Sequence, residues 1–196
     1  MVIRITTREE AEEFLKHPRR IMGVLGFYDT VCVDESVWTP EMEYLETAIS
    51  IKNRKKRITY IYDTACRLID EYNREHGIVC EFVDNRCMDC HHNSHINGCC
   101  YHCPYQSSSG CPTSNLSCKL YFCNYMKERY TSLMMGDIAV LRLLSKSQKA
   151  ILRENVFATR ETSINLLWIG SYLVFGLFSI VKIMRMRNLK LQRKEK

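Results

Sequence analysis

The sequence has none of the common local motifs for nucleotide binding or hydrolysis. It contains no internal repeat, no glycine-rich phosphate loop, no nucleophile elbow and no paired-carboxylate motif. Most of the chain also lacks an excess of charge of one sign, because residues 1–181 carry 21 basic and 21 acidic side chains. A body that is neutral overall does not indicate a diffuse positive surface, so we expect no specific nucleic-acid partner.

The beginning of the sequence shows no secretory signal. The first twenty residues carry charges from Arg4 onward and contain no apolar run before a small-residue cleavage site. We therefore expect the body to lie in the cytoplasm, where thiols are kept reduced. Clustered cysteines in that compartment indicate metal ligands rather than disulfide bonds.

Cysteine is the residue type that the sequence has in excess. Nine of the eleven cysteines lie between Cys80 and Cys123, together with four histidines. This segment has few large aliphatic residues, so burial alone cannot offset the entropy that it loses on ordering, and it needs cross-links. The other two cysteines, Cys32 and Cys66, fall in apolar surroundings, and we predict that both are buried core thiols.

Two C-x-x-C knuckles lie inside the cysteine-rich segment. Each knuckle can place two thiolates on one metal from a tight turn, and two knuckles can close a tetrahedral four-sulfur site. The remaining thiols suffice for a second site or a multi-iron cluster. Zinc and iron–sulfur clusters both accept tetrahedral sulfur, so the spacing leaves that choice open. The core ligands are predicted to be Cys87, Cys90, Cys100 and Cys103, the further ligands Cys80, Cys99, Cys111, Cys118 and Cys123, and the possible nitrogen ligands His91, His92 and His95.

The simplest role for such a cluster is a closed zinc site that keeps the segment folded and performs no chemistry. The alternative is an iron–sulfur centre in a redox enzyme or an electron-transfer component at the membrane. A catalytic C-x-x-C of the thioredoxin type needs a strand-to-helix context, which the residues around Cys87 and Cys100 do not predict. We therefore expect a metal-binding protein without an evident catalytic site.

The second half of the cysteine-rich segment shows a recognisable order of residues. An adjacent cysteine pair is followed by a Cys-Pro-aromatic step, a Gly-Cys turn and a last cysteine before a basic and an aromatic residue. These elements are Cys99-Cys100, Cys103-Pro104-Tyr105, Gly110-Cys111 and Cys118-Lys119-Leu120-Tyr121. The stretch resembles the bacterial zinc- or iron-chelating cysteine-cluster proteins, although it has C-C-x-x-C where that family has C-x-x-C-C. The resemblance implies a chelating domain and says nothing about a substrate.

One long uncharged run lies near the end of the sequence, from Thr162 to Val181. Twenty residues at helical rise match a hydrocarbon thickness of roughly 30 Å. The polar residues of the run do not line one face, which is typical of a buried or membrane helix. Trp168 and Tyr172 lie toward one end, where interfacial aromatics are expected. The run favours a transmembrane helix, and the alternatives are a core helix or a helix lying in the cytosolic interface.

A basic tail, residues 182–196, follows this run. It holds seven Lys or Arg residues and one Glu, and so carries the whole net charge of the chain. Each cation near anionic headgroups contributes about 1 kcal/mol. We therefore expect membrane lipid as a partner, whereas no feature identifies a protein partner. The predicted membrane-surface residues are Lys182, Arg185, Arg187, Lys190, Arg193 and Lys194.

The rest of the chain predicts a mostly α fold. Thr7 can cap a first helix, Thr39-Pro40 marks a second start, and Gly77 marks a stop. We interpret the basic run at residues 53–57 as a helix break with a solvated face. Further helices are expected over 124–135 and 137–157, with a core stripe at Ile138, Leu141, Leu144 and Ile151.

These signals predict a small helical domain with an inserted loop-rich cysteine cluster and one apolar C-terminal helix. The predicted parts are a helical region (1–79), the cysteine-rich metal-binding segment (80–123), a helical region packing with the first (124–161), the membrane helix (162–181) and the basic tail (182–196).

Overall fold

The computed structural model describes residues 2–21, 30–78, 82–83, 86–87, 115–121, 124–154 and 158–170. Most of these residues are helical, which confirms the prediction of a mostly α protein. The helices are α1 (Arg8–Lys16), α2 (Pro18–Ile21), α3 (Pro40–Ser50), α4 (Arg54–Glu75), α5 (Leu116–Lys119), α6 (Asn124–Arg129), a 3₁₀ helix (Ala139–Leu143), α7 (Lys146–Glu154) and α8 (Arg160–Ile169).

Two short strand pairs accompany the helices. Strand β1 (Val2–Ile5) pairs in parallel with β2 (Thr30–Val33), and β3 (Phe82–Val83) pairs antiparallel with β4 (Arg86–Cys87). Along β2, Val31 is buried and Cys32 is exposed, because successive side chains of a strand point to opposite faces. The prediction that Cys32 is a buried core thiol is therefore wrong.

The predicted helix starts at Thr7 and Thr39-Pro40 and the stop at Gly77 are borne out, whereas the helix expected over 124–135 ends at Arg129. Thr7 and Glu10 form a reciprocal capping box at the start of α1. Asn53 caps α4 by accepting a hydrogen bond from the Lys56 backbone N–H at 3.0 Å, so the predicted break lies before residue 54. The rest of the basic run belongs to the helix, and the prediction of a solvated face is wrong for Arg57, which is buried. Gly77 has φ 61°, a left-handed conformation that suits glycine after a helix end.

The predicted core stripe is buried, but it does not lie on one continuous helix. Ile138, Leu141, Leu144 and Ile151 all face the core. The helix expected over 137–157 is divided into the 3₁₀ helix and α7, because Ser145 and Gln148 form a second capping box that starts a new helix. Helix α4 lies at the centre of the body and contacts α3, the 3₁₀ helix, α5 and α8.

Helix α8 runs through the predicted boundary at residue 161 and packs on α4 and α7. Its residues Ser163, Ile164 and Leu167 are buried. The helix ends at Gly170, whose φ of 59° is left-handed and whose N–H donates to the Leu166 carbonyl. Within the described ranges, no helix is long and apolar enough to cross a membrane. The later part of the predicted membrane helix and the basic tail lie outside those ranges.

Candidate metal centre and its anchor on the helical body

Two of the nine predicted cysteine ligands, Cys87 and Cys118, fall among the described residues. The other seven, and His91, His92 and His95, lie outside them. In the part of the chain that the structure describes, no group of three or more His, Cys, Asp or Glu side chains could hold a metal ion. The structure therefore shows how the cysteine-rich segment is attached, and leaves the ligand set as predicted from the sequence.

Cys87 closes a strand pair at the start of the first knuckle. Phe82 pairs with Cys87, and Val83 pairs with Arg86, with two residues between the strands in the sequence. Strand pairing fixes the backbone of Cys87 immediately before Met88-Asp89-Cys90. Because the backbone of its first cysteine is already fixed, this knuckle loses less conformational entropy when it binds metal.

Cys118 lies on α5, and this short helix is anchored to the body by a buried asparagine. The Asn115 side chain accepts a hydrogen bond from the Cys118 backbone N–H at 2.9 Å and donates one to the Ala158 carbonyl at 2.5 Å. The Leu116 side chain is fully buried, and its N–H donates to the Tyr62 hydroxyl at 2.8 Å. Lys119 forms an ion pair with Asp70 of α4. The end of the cysteine-rich segment is thus held along the side of α4.

The two ends of the region between residues 78 and 126 lie together. Ile78 and Met126 are buried against each other in a small cluster that also includes Tyr72 and Tyr130. The Tyr72 hydroxyl donates to the Thr131 carbonyl at 3.1 Å, which holds the chain after α6 close to the end of α4. The residues that flank the cysteine-rich segment, Ile78 and Met126, therefore lie next to each other on the body.

The thiol of Cys66 is chemically different from a metal ligand. Burial raises the pKa of the Cys66 thiol to about 12, although the nearby Lys119 ammonium opposes the shift. At neutral pH the group is therefore a protonated thiol, whereas metal ligands and nucleophiles are thiolates. The side chain is only 7% exposed, which confirms that Cys66 is a buried core thiol.

Alkaline pH is expected to destabilise the body through Cys66 and Tyr62. Burial also raises the pKa of the Tyr62 hydroxyl to about 12. In the unfolded chain these groups lose their protons above about pH 8.5 and pH 10, while the folded protein still binds both protons. The folded state then holds more protons, so the free energy of unfolding falls as pH rises toward 12.

We expect a loss of about 3 kcal/mol from Cys66 by pH 11, measured by urea unfolding between pH 7 and pH 11. The Cys66→Ala variant should show a smaller loss over the same interval, since only Tyr62 then contributes of the two. An identical pH dependence in both proteins would contradict the assignment.

Two structural residues here were missed by the sequence interpretation. Asn115 three residues before Cys118 is a helix-capping pattern, and that signal was available. The Tyr62 contact joins residues 54 positions apart, so no local pattern indicates it.

No protein-family model, curated protein or solved structure matches this chain. The resemblance to chelating cysteine-cluster proteins therefore stays a prediction.

Proposed function

We propose that this chain is a non-enzymatic metal-binding protein that is tethered to a membrane by its C-terminal residues. The observation that carries the proposal is the concentration of nine cysteines in a segment whose ends meet on the body at Ile78 and Met126. The metal is zinc or an iron–sulfur cluster. Cys87, Cys90, Cys100 and Cys103 are the core ligands, and the other cluster thiols complete a second site.

The way in which the segment is attached to the body supports a structural metal site. Such a site has no open coordination position for a substrate. Between Ile78 and Leu116, which both lie on the body, the segment has few large aliphatic side chains. Ordering it costs conformational entropy that a core of its own cannot offset, so a cross-link has to supply the stabilisation. Structural zinc in small domains contributes about 10–16 kcal/mol, which is enough to order such a segment. Strand β4 and helix α5 then supply fixed backbone near Cys87 and at Cys118.

The end of α8 favours one form of membrane attachment. A helical span needs about twenty apolar residues, and eleven uncharged residues remain between Gly170 and Lys182. Eleven residues suit a segment that lies in the interface, with its cations among anionic headgroups. This arrangement keeps the basic tail and the reduced thiols on the same, cytoplasmic side of the membrane.

The metal is tested on full-length protein purified without oxygen. Elemental analysis is expected to find bound metal, and the visible spectrum then separates the two classes, since zinc thiolate is colourless and iron–sulfur clusters absorb visible light. An iron–sulfur spectrum that is bleached reversibly by a reductant would favour the electron-transfer alternative. Metal-free protein with paired cysteines would overturn the proposal.

A further inference from the structure

A basic and aromatic surface lies where α4 begins and α8 ends. Arg54, Lys55, Lys56 and Trp168, here called the Trp168 surface, line an open groove of about 720 Å³ together with Asn53 and Thr59. From the sequence alone, these cations are predicted to form a solvated face. The structure adds an aromatic side chain from a distant part of the chain.

The side chains of this surface are placed against one another. The Lys55 Nζ atom lies 5.5 Å from the centre of the Trp168 ring, within the range of a cation–π contact. Trp168 is 44% exposed and its neighbour Ile169 is 50% exposed, although both belong to a helix that packs on the body. Exposed large apolar side chains beside cations are typical of a surface that meets a membrane interface.

The first turn of α4 carries basic side chains, whereas acidic side chains are favoured at the N-terminus of a helix. The first turn of α4 holds three exposed cations and no acidic residue, although the N-terminus of a helix is itself positive. Helix α1 follows the rule, with Glu9 and Glu10 in its first turn. None of Arg54, Lys55 or Lys56 forms an ion pair with another residue that the structure describes. Departures from such local sequence preferences are expected at functional surfaces.

The Trp168 surface lies beside the residue that leads into the uncharged run at 171–181. The Arg54 guanidinium lies beside Gly170, where a Cβ atom would be 3.3 Å from its nitrogen. Gly170 is also the point at which the chain continues into the uncharged residues 171–181 and then the basic tail. The surface is therefore adjacent to the start of the segment that attaches the protein to lipid.

We propose that the Trp168 surface rests on the headgroups of an anionic membrane and orients the body there. This inference depends on the proposed attachment through residues 171–196. The three cations lie against lipid phosphates and carboxylates, and Trp168 sits at the level of the headgroups. A nucleic-acid surface is less well matched, because bases need several stacking aromatics along a basic groove and this groove has one.

The test compares two triple variants of the full-length protein with equal changes in charge. The first is Arg54→Gln/Lys55→Gln/Lys56→Gln. The matched control, Arg8→Gln/Lys16→Gln/Lys127→Gln, neutralises three exposed cations of α1 and α6. Binding to vesicles of phosphatidylserine and phosphatidylcholine is measured by sedimentation. Each cation at the surface contributes about fivefold, so the first variant should bind roughly 100-fold more weakly than the control.

A second readout reports the place of Trp168 directly. The chain has two tryptophans, so a Trp38→Phe background leaves Trp168 as the single fluorophore. Vesicles with brominated lipid should quench its emission, and the first triple variant should lose that quenching. The variant should unfold at a temperature no lower than the parent, because it removes cations from the positive end of α4.

The outcomes separate this inference from the tether. If the parent binds vesicles, the first variant binds as tightly and Trp168 is not quenched, the surface does not face lipid although the tether stands. If the parent binds no anionic vesicle, both the tether and this inference fall. If the first variant loses binding to a single-stranded oligonucleotide while it keeps binding to vesicles, the surface belongs to nucleic acid and the inference is overturned.

Discussion

Replacing Cys87 or Cys103 by serine is expected to remove the metal of the first site, whereas Cys66→Ala and Cys32→Ser should leave metal content unchanged. A serine hydroxyl is not a thiolate at neutral pH, so a four-sulfur site loses one of its ligands. The binding free energy of structural zinc is about 10–16 kcal/mol, and most of it would be lost from the folded segment. Metal per chain, measured by elemental analysis, is the readout.

The two control positions are chosen for different physical reasons. Cys66 is a buried thiol with a raised pKa, and Cys32 is an exposed residue on β2, far along the sequence from the knuckles. Equal loss of metal from all four variants would show that the division between ligand and non-ligand cysteines is wrong. Full retention in the Cys87 and Cys103 variants would exclude these residues as ligands.

Truncation after Gly170 is expected to abolish membrane binding and to leave a folded body that still binds metal. The deleted residues 171–196 contain the remaining uncharged run and all seven cations of the tail. Seven cations at about 1 kcal/mol each account for several kcal/mol of membrane affinity. The predicted ligands all precede the cut. Sedimentation with anionic vesicles and metal analysis of the fragment are the measurements.

A second cut provides the control for this truncation. Ending the chain after Glu161 would remove the buried Ile164 and Leu167, each of which contributes about 1.5–3 kcal/mol by burial. That fragment should unfold at a lower temperature or aggregate, because it exposes the face of α4 on which α8 packs. A Gly170 fragment that binds vesicles as tightly as the full chain would contradict the tether.

The parts of the fold that could be predicted depend on local chemistry. Thr7 with Glu10, Asn53 with Lys56 and the glycine at position 77 each act within a few residues, so their effect is visible in the sequence. The pairing of β1 with β2 joins residues 28 positions apart, as in Val2 with Thr30, and it was missed because each strand is short. Without that pairing, the exposure of Cys32 could not be foreseen.

Composition alone does not show whether the apolar run near the C-terminus forms a core helix or a membrane helix. Residues 162–169 have no charged side chain, which fits both a core helix and a membrane helix. A core helix differs from a membrane helix in packing on other parts of the same protein. Helix α8 packs on α4, and its residues Ser163, Ile164 and Leu167 are buried. Gly170, whose backbone is left-handed, is a local helix-end signal inside the apolar run.

The same distinction applies to the candidate site. The C-x-x-C spacing at Cys87 and Cys100 is local, so the sequence indicates a metal centre without any structure. The attachment of the segment that holds the predicted centre depends on contacts between distant residues, such as Tyr62 with Leu116 and Asp70 with Lys119. The Trp168 surface likewise joins Lys55 to a side chain more than a hundred positions away.

The measurement that tests the central claim most directly is a count of metal and reactive thiols in the full-length protein, before and after a chelator is added without oxygen. A metal-held segment should contain at least one metal per chain and should release the thiols of residues 80–123 together with the metal, while the buried Cys66 stays unreactive. Reduced, metal-free protein that keeps these thiols protected would contradict the account.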